Sequence, residues 1–190
     1  MLKPLVAAAL FCLPALAQSV QDGRYINNSY ARVAKHLLAA EQGDPKARFD
    51  VALMYEKGEV VSQNHKEALK WLKLAAGDGF APAQLFLGLM YAAGSGVMQN
   101  YPEALKWVHL AADQGDADAQ FYLGGVYFVD HIVPHNYVES YKWFVLAASK
   151  DTPESAKARE GVRALLSRQE LAEARSLIEE WRNRTEKASK

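Results

Sequence analysis

Residues 81–115 read APAQLFLGLMYAAGSGVMQNYPEALKWVHLAADQG, and this stretch decides the architecture. Ala83, Leu87, Gly88, Met90 and Tyr91 fall at helical spacing and make one apolar stripe with a small residue inside it. Glycine is a poor helix former, so Gly88 in that stripe points to a close helix–helix contact. The helix stops at Gly94-Ser95-Gly96, where glycine takes the backbone angles of a tight turn. A second helix starts at Asn100, a capping residue followed three positions later by Glu103, and Pro102 in its first turn gives up an N–H that has no helical partner. Ala104, Trp107, Val108 and Ala111 form the second stripe, Gln114-Gly115 ends it, and Asp116 can cap the next helix. Neither helix is long enough to be stable alone in water, so each must bury its stripe against neighbours.

The pattern repeats at a step of 36 residues. Trp71, Trp107 and Trp143 keep it, as do Ala47, Ala83 and Ala119, Tyr55, Tyr91 and Tyr127, and the pairs Ala75-Ala76, Ala111-Ala112 and Ala147-Ala148. The Asn caps recur at Asn64 and Asn136, with Glu67 and Glu139 behind them, and Ala52 and Gly124 keep the Gly88 position small. A fixed step of this length predicts an all-α fold, an α-solenoid of stacked helix–turn–helix repeats with a 36-residue period. Three repeats are expected at 44–79, 80–115 and 116–151. Residues 18–43, with Lys35 at the tryptophan position, read as an N-terminal capping half-repeat. Residues 152–182 read as C-terminal capping helices, since Leu171, Ala174, Leu177, Ile178 and Trp181 share one face. Residues 183–190 read as a flexible basic tail. The tryptophans are expected to carry the core, and Trp107→Ala to cost about 3–5 kcal/mol.

The first 17 residues have a basic start at Lys3, an apolar run from Pro4 to Leu16 and a small-x-small ending at Ala15-Leu16-Ala17. That is the form of a signal peptide cleaved near Ala17, and the run is too short to span a membrane. Ala9-Leu10-Phe11 before Cys12 lacks the small residues of a lipoprotein signal, so no stable membrane anchor is expected. Cleavage removes the single cysteine, leaving a disulfide-free exported chain of about 173 residues, large enough for an ordinary core and suited to a periplasmic or secreted location. Twenty-two basic and 22 acidic residues balance, which argues against nucleic acid as the partner.

These residues resemble the Sel-1-like repeat family, relatives of the tetratricopeptide repeats. The second unit follows the family pattern almost throughout, in Ala83, Leu87-Gly88, Tyr91, Gly94-Ser95-Gly96-Val97, Ala104, Trp107, Ala111-Ala112 and Gly115. The first unit departs at Val51-Ala52 and Val60. The third departs at Asp130-His131-Ile132, which replaces the glycine turn, and at Ser140. The resemblance implies an α-solenoid that binds other proteins or peptides; with the signal peptide, this reads as a periplasmic scaffold or regulator holding its partner in the concave groove of a superhelix, and the C-terminal capping helix favours a monomer over open-ended stacking. Some members are linked to penicillin binding and β-lactam hydrolysis; the paired cysteines of those members are absent here. An envelope hydrolase or binder acting on β-lactams or peptidoglycan is the competing reading.

Candidate binding residues lie on the first helix of each unit, outside the packing stripe. They are Asp50, Phe86 and Tyr122 at one position, and Leu53 and Leu89 one turn on, where the third unit has Gly125. Phe86 and Tyr122 stand where the family pattern is polar, so two readings remain at this point: an apolar groove for a partner segment, or packing against an adjacent second helix. Asp130, His131 and His135 bring metal-binding chemistry to the third turn, but His135 occupies the place of Gln63 and Gln99 and reads as a polar turn residue. No metal, cofactor or catalytic residue is expected, since the nucleophile, zinc and phosphate-loop motifs are missing from the sequence.

Overall fold

The computed structural model describes residues 28–58, 62–149 and 152–188. The signal-peptide expectation and the turn at Val60 lie outside the described residues. The chain divides into two compact units, Met1–Ala83 and Gln84–Lys190. In the first, α1 (Asn28–Glu41), α2 (Pro45–Lys57) and α3 (His65–Gly77) pack in sequence, α1 on α2 and α2 on α3. The next helix, α4 (Ala81–Ala93), begins there and carries the chain into the second unit. That unit continues through α5 (Tyr101–Asp113), α6 (Ala117–Phe128), α7 (Tyr137–Leu146), a short 3-10 turn at Ala147–Ser149, α8 (Pro153–Arg163) and α9 (Arg168–Ala188). Here α6 packs on α5 and α7, while α8 and α9 both pack on α7. The architecture is an all-α solenoid of stacked helix–turn–helix repeats.

Local chemistry explains where the helices begin. The side chains of Asn64, Asn100 and Asn136 accept the backbone N–H of Glu67, Glu103 and Glu139 at 3.2, 3.1 and 3.0 Å. The glutamates turn forward to the lysine three residues on, Lys70, Lys106 and Lys142, at 3.0, 3.5 and 2.6 Å. Each repeat's internal turn closes with the same bond, from the N–H of Asn64, Asn100 and Asn136 to the carbonyls of Tyr55, Tyr91 and Tyr127. Between successive helix pairs the chain reverses at Gly43, Gly79 and Gly115, whose φ values of 102°, 86° and 88° lie in the left-handed region. Successive helix pairs are tied by long side chains reaching back to the end of the preceding second helix. Arg48 donates to the Ala40 carbonyl at 3.0 Å and pairs with Asp78, and Gln120 donates to the Ala112 carbonyl at 3.0 Å.

Packing separates residues that the step makes equivalent. Trp71 and Trp143 are buried at 5% and 3% exposure. Trp107 is only partly buried, so the full-burial cost expected for Trp107→Ala is too large for this position. Gly88 does mark a close approach: a Cβ there would lie 2.6 Å from Val108 Cγ2 and 2.9 Å from the Ala104 carbonyl oxygen. At the C-terminal end, Val162, Ala174 and Ile178 close over Tyr141 and Phe144, and Trp181 Nε1 donates to Asp113 Oδ1 at 3.3 Å. The α9 helix continues to Ala188, past Arg182.

Candidate functional site

Each first helix buries one side and turns the other outward, and the three outward faces differ in chemistry. On α2 the face holds Lys46, Phe49, Asp50, Leu53, Glu56 and Lys57. Its charges are matched locally. Asp50 Oδ2 pairs with Lys46 Nζ at 2.9 Å and with His36 Nδ1 of α1 at 3.3 Å, and Glu56 meets His65 at 3.0 Å. The Asp50 carboxylate and its hydrogen bond hold the Lys46 ammonium pKa above its ordinary value. Asp50 therefore helps fasten α1 to α2, and Leu53 beside it is half-buried.

In the second unit the corresponding faces are apolar. From Gln84 onward, α4 turns out Leu85, Phe86, Leu89, Ala92 and Ala93, with no charged side chain in the whole helix. Phe86 and Leu89 are half-buried. On α6 the outward residues are Asp118, Phe121, Tyr122, Gly125 and Phe128, followed by Val129 just past the helix end. Tyr122 sits at the margin, half-buried; burial, with a smaller contribution from Tyr101, raises its hydroxyl pKa. Sequence reasoning missed three apolar residues exposed on this helix or just past its end: Phe121, Phe128 and Val129 are 39%, 43% and 55% exposed. Their signal was an apolar residue outside the buried stripe, which in a single sequence looks like any surface leucine or phenylalanine.

The irregular third turn closes on the same Asn136-to-Tyr127 bond as the others, but it leaves the helix through extended Val129 where the first two turns use left-handed Gly58 and Gly94. Val129 N–H donates to the Gly125 carbonyl at 3.2 Å, and Asp130 bridges to Val133. Gln63 and Gln99 reach back to the carbonyls of Glu56 and Ala92, each at 2.8 Å; His135 instead places its ring 5.0 Å from that of Tyr137. His131 lies edge-on to Tyr101 at 6.1 Å. Among the described residues no three His, Cys, Asp or Glu side chains gather as metal ligands. Nor, among them, is any helix long and apolar enough to cross a membrane.

The sequence profile of the Sel1 repeat matches residues 45–80, 81–116 and 117–151. The chain belongs to the Sel1 repeat family. A Sel1 repeat protein from Oxalobacter formigenes is 33% identical over 67% of this chain and 96% of its own, with a TM-score of 0.62. The protein c5321, described as a protective antigen of uropathogenic Escherichia coli displaying an SLR fold, is 24% identical. That match covers 88% of this chain and 44% of c5321, with a TM-score of 0.58, and at this identity it shows shared fold alone. Comparison with curated proteins finds no match. A Sel1 repeat solenoid generally acts as a protein- and peptide-binding scaffold.

One partly buried polar cluster is peculiar to the junction between the second and third Sel1 repeats. His109 Nε2 lies 3.3 Å from the Tyr127 hydroxyl, and its ring sits edge-on to Trp143 at 5.7 Å. The equivalent positions hold Lys73 and Val145. Burial pushes the His109 imidazole below its ordinary 6.5; Lys142 adds to the shift, while Asp113 and Glu139 oppose it. The unfolded chain then binds its proton first as pH falls. His109 therefore contributes stability that is complete above pH 6.5 and is lost as pH drops through that value toward the lower folded pKa. Urea midpoints measured on either side of pH 6.5 are expected to fall further on acidification for the wild type than for His109→Phe. Equal falls would refute the assignment.

Proposed function

We propose that this chain is an exported bacterial scaffold, acting in the periplasm or outside the cell, that grips a protein or peptide partner on the outward faces of its first helices. The partner-binding set is Asp50, Leu53, Phe86, Leu89 and Tyr122, with Phe86 and Leu89 its most apolar members and Asp50 its charged one. On this reading 18–43 and 152–182 are caps that close the array, 1–17 is removed on export, and the chain works as a monomer. The observation that carries it is the uncharged outward face of α4, since every other α-helix among the described residues carries charged side chains. A face of that kind gains free energy when a partner covers it, and half-buried aromatics suit the centre of such a contact.

The test is capture from bacterial envelope extracts with the mature chain as bait, wild type against Phe86→Ala/Tyr122→Ala. A specific envelope protein held by the wild type and lost by the double variant is the expected result, with the helical circular dichroism of the variant unchanged. Retention of every captured protein by a folded double variant would overturn it.

A further inference from the structure

Adjacent glycines on α6 have opposite surroundings. A Cβ at Gly124 would lie 2.6–2.8 Å from ring carbons of Phe144, so helix packing accounts for that residue. A Cβ at Gly125 would meet nothing within 4 Å. Glycine inside a helix costs about 0.5–1 kcal/mol relative to alanine, and at Gly125 no close contact offsets the cost. The equivalent positions in the other repeats carry Leu53 and Leu89. Gly125 thus leaves open space, a notch in the helix face, where the equivalent positions of the other repeats carry a leucine.

The walls and rim of the notch are defined. Phe121 lies one turn before Gly125 and Phe128 about one turn after, both exposed to the same side. Each ring is steadied from behind, Phe121 by Phe144 at 5.2 Å and Phe128 by Tyr137 at 5.9 Å. Asp118 and Asp130 are exposed at the two ends of the stripe. No lysine or arginine occurs between Lys106 and Lys142, whereas Asp113, Asp116, Asp118, Asp130 and Glu139 do, so the stretch of sequence around the notch is acidic. Aromatic walls around an empty position fit an aliphatic side chain, and an acidic rim selects a basic partner.

We propose that the Gly125 notch receives the leucine-like knob of a basic amphipathic helix, its lysines set toward Asp118 and Asp130. This rests on the reading of the first-helix face as the binding face and names the chemistry of its partner. A bound helix would place its apolar residues at three- and four-residue spacing along the Phe121–Phe128 stripe.

The test uses two synthetic amphipathic peptides of one pattern, leucine with lysine and leucine with glutamate, fluorescently labelled and titrated with the mature chain by anisotropy. The leucine–lysine peptide is expected to bind saturably, and more weakly as salt is raised; the leucine–glutamate peptide is expected not to bind. Gly125→Leu fills the notch at a helical position with open space, so the chain stays folded while affinity drops by about tenfold or more, as it also does for Phe128→Ala. Leu165→Ala, which trims an exposed leucine elsewhere, is expected to leave binding unchanged. Absence of saturable binding, equal binding of the glutamate peptide, or wild-type affinity in Gly125→Leu would each overturn the proposal. If capture from extracts depends on Phe86 and Tyr122 while peptide binding ignores Gly125, the face is right and the notch is wrong. If peptide binding depends on Gly125 while capture ignores Phe86 and Tyr122, the notch is right and those aromatics lie outside the contact.

Discussion

Gly88→Ala is expected to destabilise the second unit by about 1–3 kcal/mol, although alanine is the better helix former. The new methyl would lie 2.6 Å from Val108 Cγ2 and 2.9 Å from the Ala104 carbonyl oxygen. Val108 is fully buried and has little room to turn, and the carbonyl belongs to the backbone of α5, so relief requires the two helices to move apart. That separation loosens contacts along the α4–α5 interface and outweighs the propensity gain of about 0.5–1 kcal/mol. Gly125→Ala serves as the opposite-sign control, since its methyl meets nothing within 4 Å and the propensity gain stands alone. Urea unfolding of both variants gives the comparison. A Gly88→Ala chain as stable as the wild type would mean that the contact relaxes without loss.

The same two glycines show how far the sequence could be read. The 36-residue step identified the solenoid because stacking imposes one burial pattern on every unit, and that pattern repeats residue by residue. Gly88 could be read as a contact point because it sits within an apolar stripe. Gly124 can be read the same way, because it keeps the small position of Ala52 and Gly88, whereas Gly125 stands where the other repeats carry Leu53 and Leu89; one faces Phe144 and the other faces outward because successive helix positions differ by about 100°. Asp50 took its place among the binding candidates from register alone. Its pairing with His36 depends on a histidine standing where later second helices carry Leu72, Val108 and Phe144, a substitution whose partner only the packing of α1 on α2 identifies. The exposure of Phe121 and Phe128 was not legible either. An apolar residue announces its hydrophobicity, and what covers it depends on elements elsewhere in the chain.

Trp143→Ala is expected to cost about 3–5 kcal/mol, and Trp107→Ala distinctly less. The difference lies in the neighbours. Trp143 is 3% exposed, with His109 edge-on to its ring at 5.7 Å and Lys142 Nζ over it at 4.4 Å. Lys142 is itself nearly buried and holds Glu139 at 2.6 Å, so removing the indole opens a cavity and strips the apolar and cation–π cover from a desolvated ion pair. Trp107 keeps part of its ring in solvent, and Lys106 stands off at 5.7 Å with its ammonium exposed, so truncation leaves less of a void and no stranded charge. Trp143→Phe separates cavity from chemistry. Phenylalanine retains an aromatic face for Lys142 and removes an indole N–H that is buried without an acceptor among the described residues. Removing such a donor offsets part of the lost area, so Trp143→Phe should cost less than half of what Trp143→Ala does. Chemical denaturation of the three variants orders them as Trp143→Ala, Trp107→Ala and Trp143→Phe, from largest loss to smallest. Equal losses at Trp107 and Trp143 would show that the repeat position, and not the local burial, sets the contribution of each tryptophan.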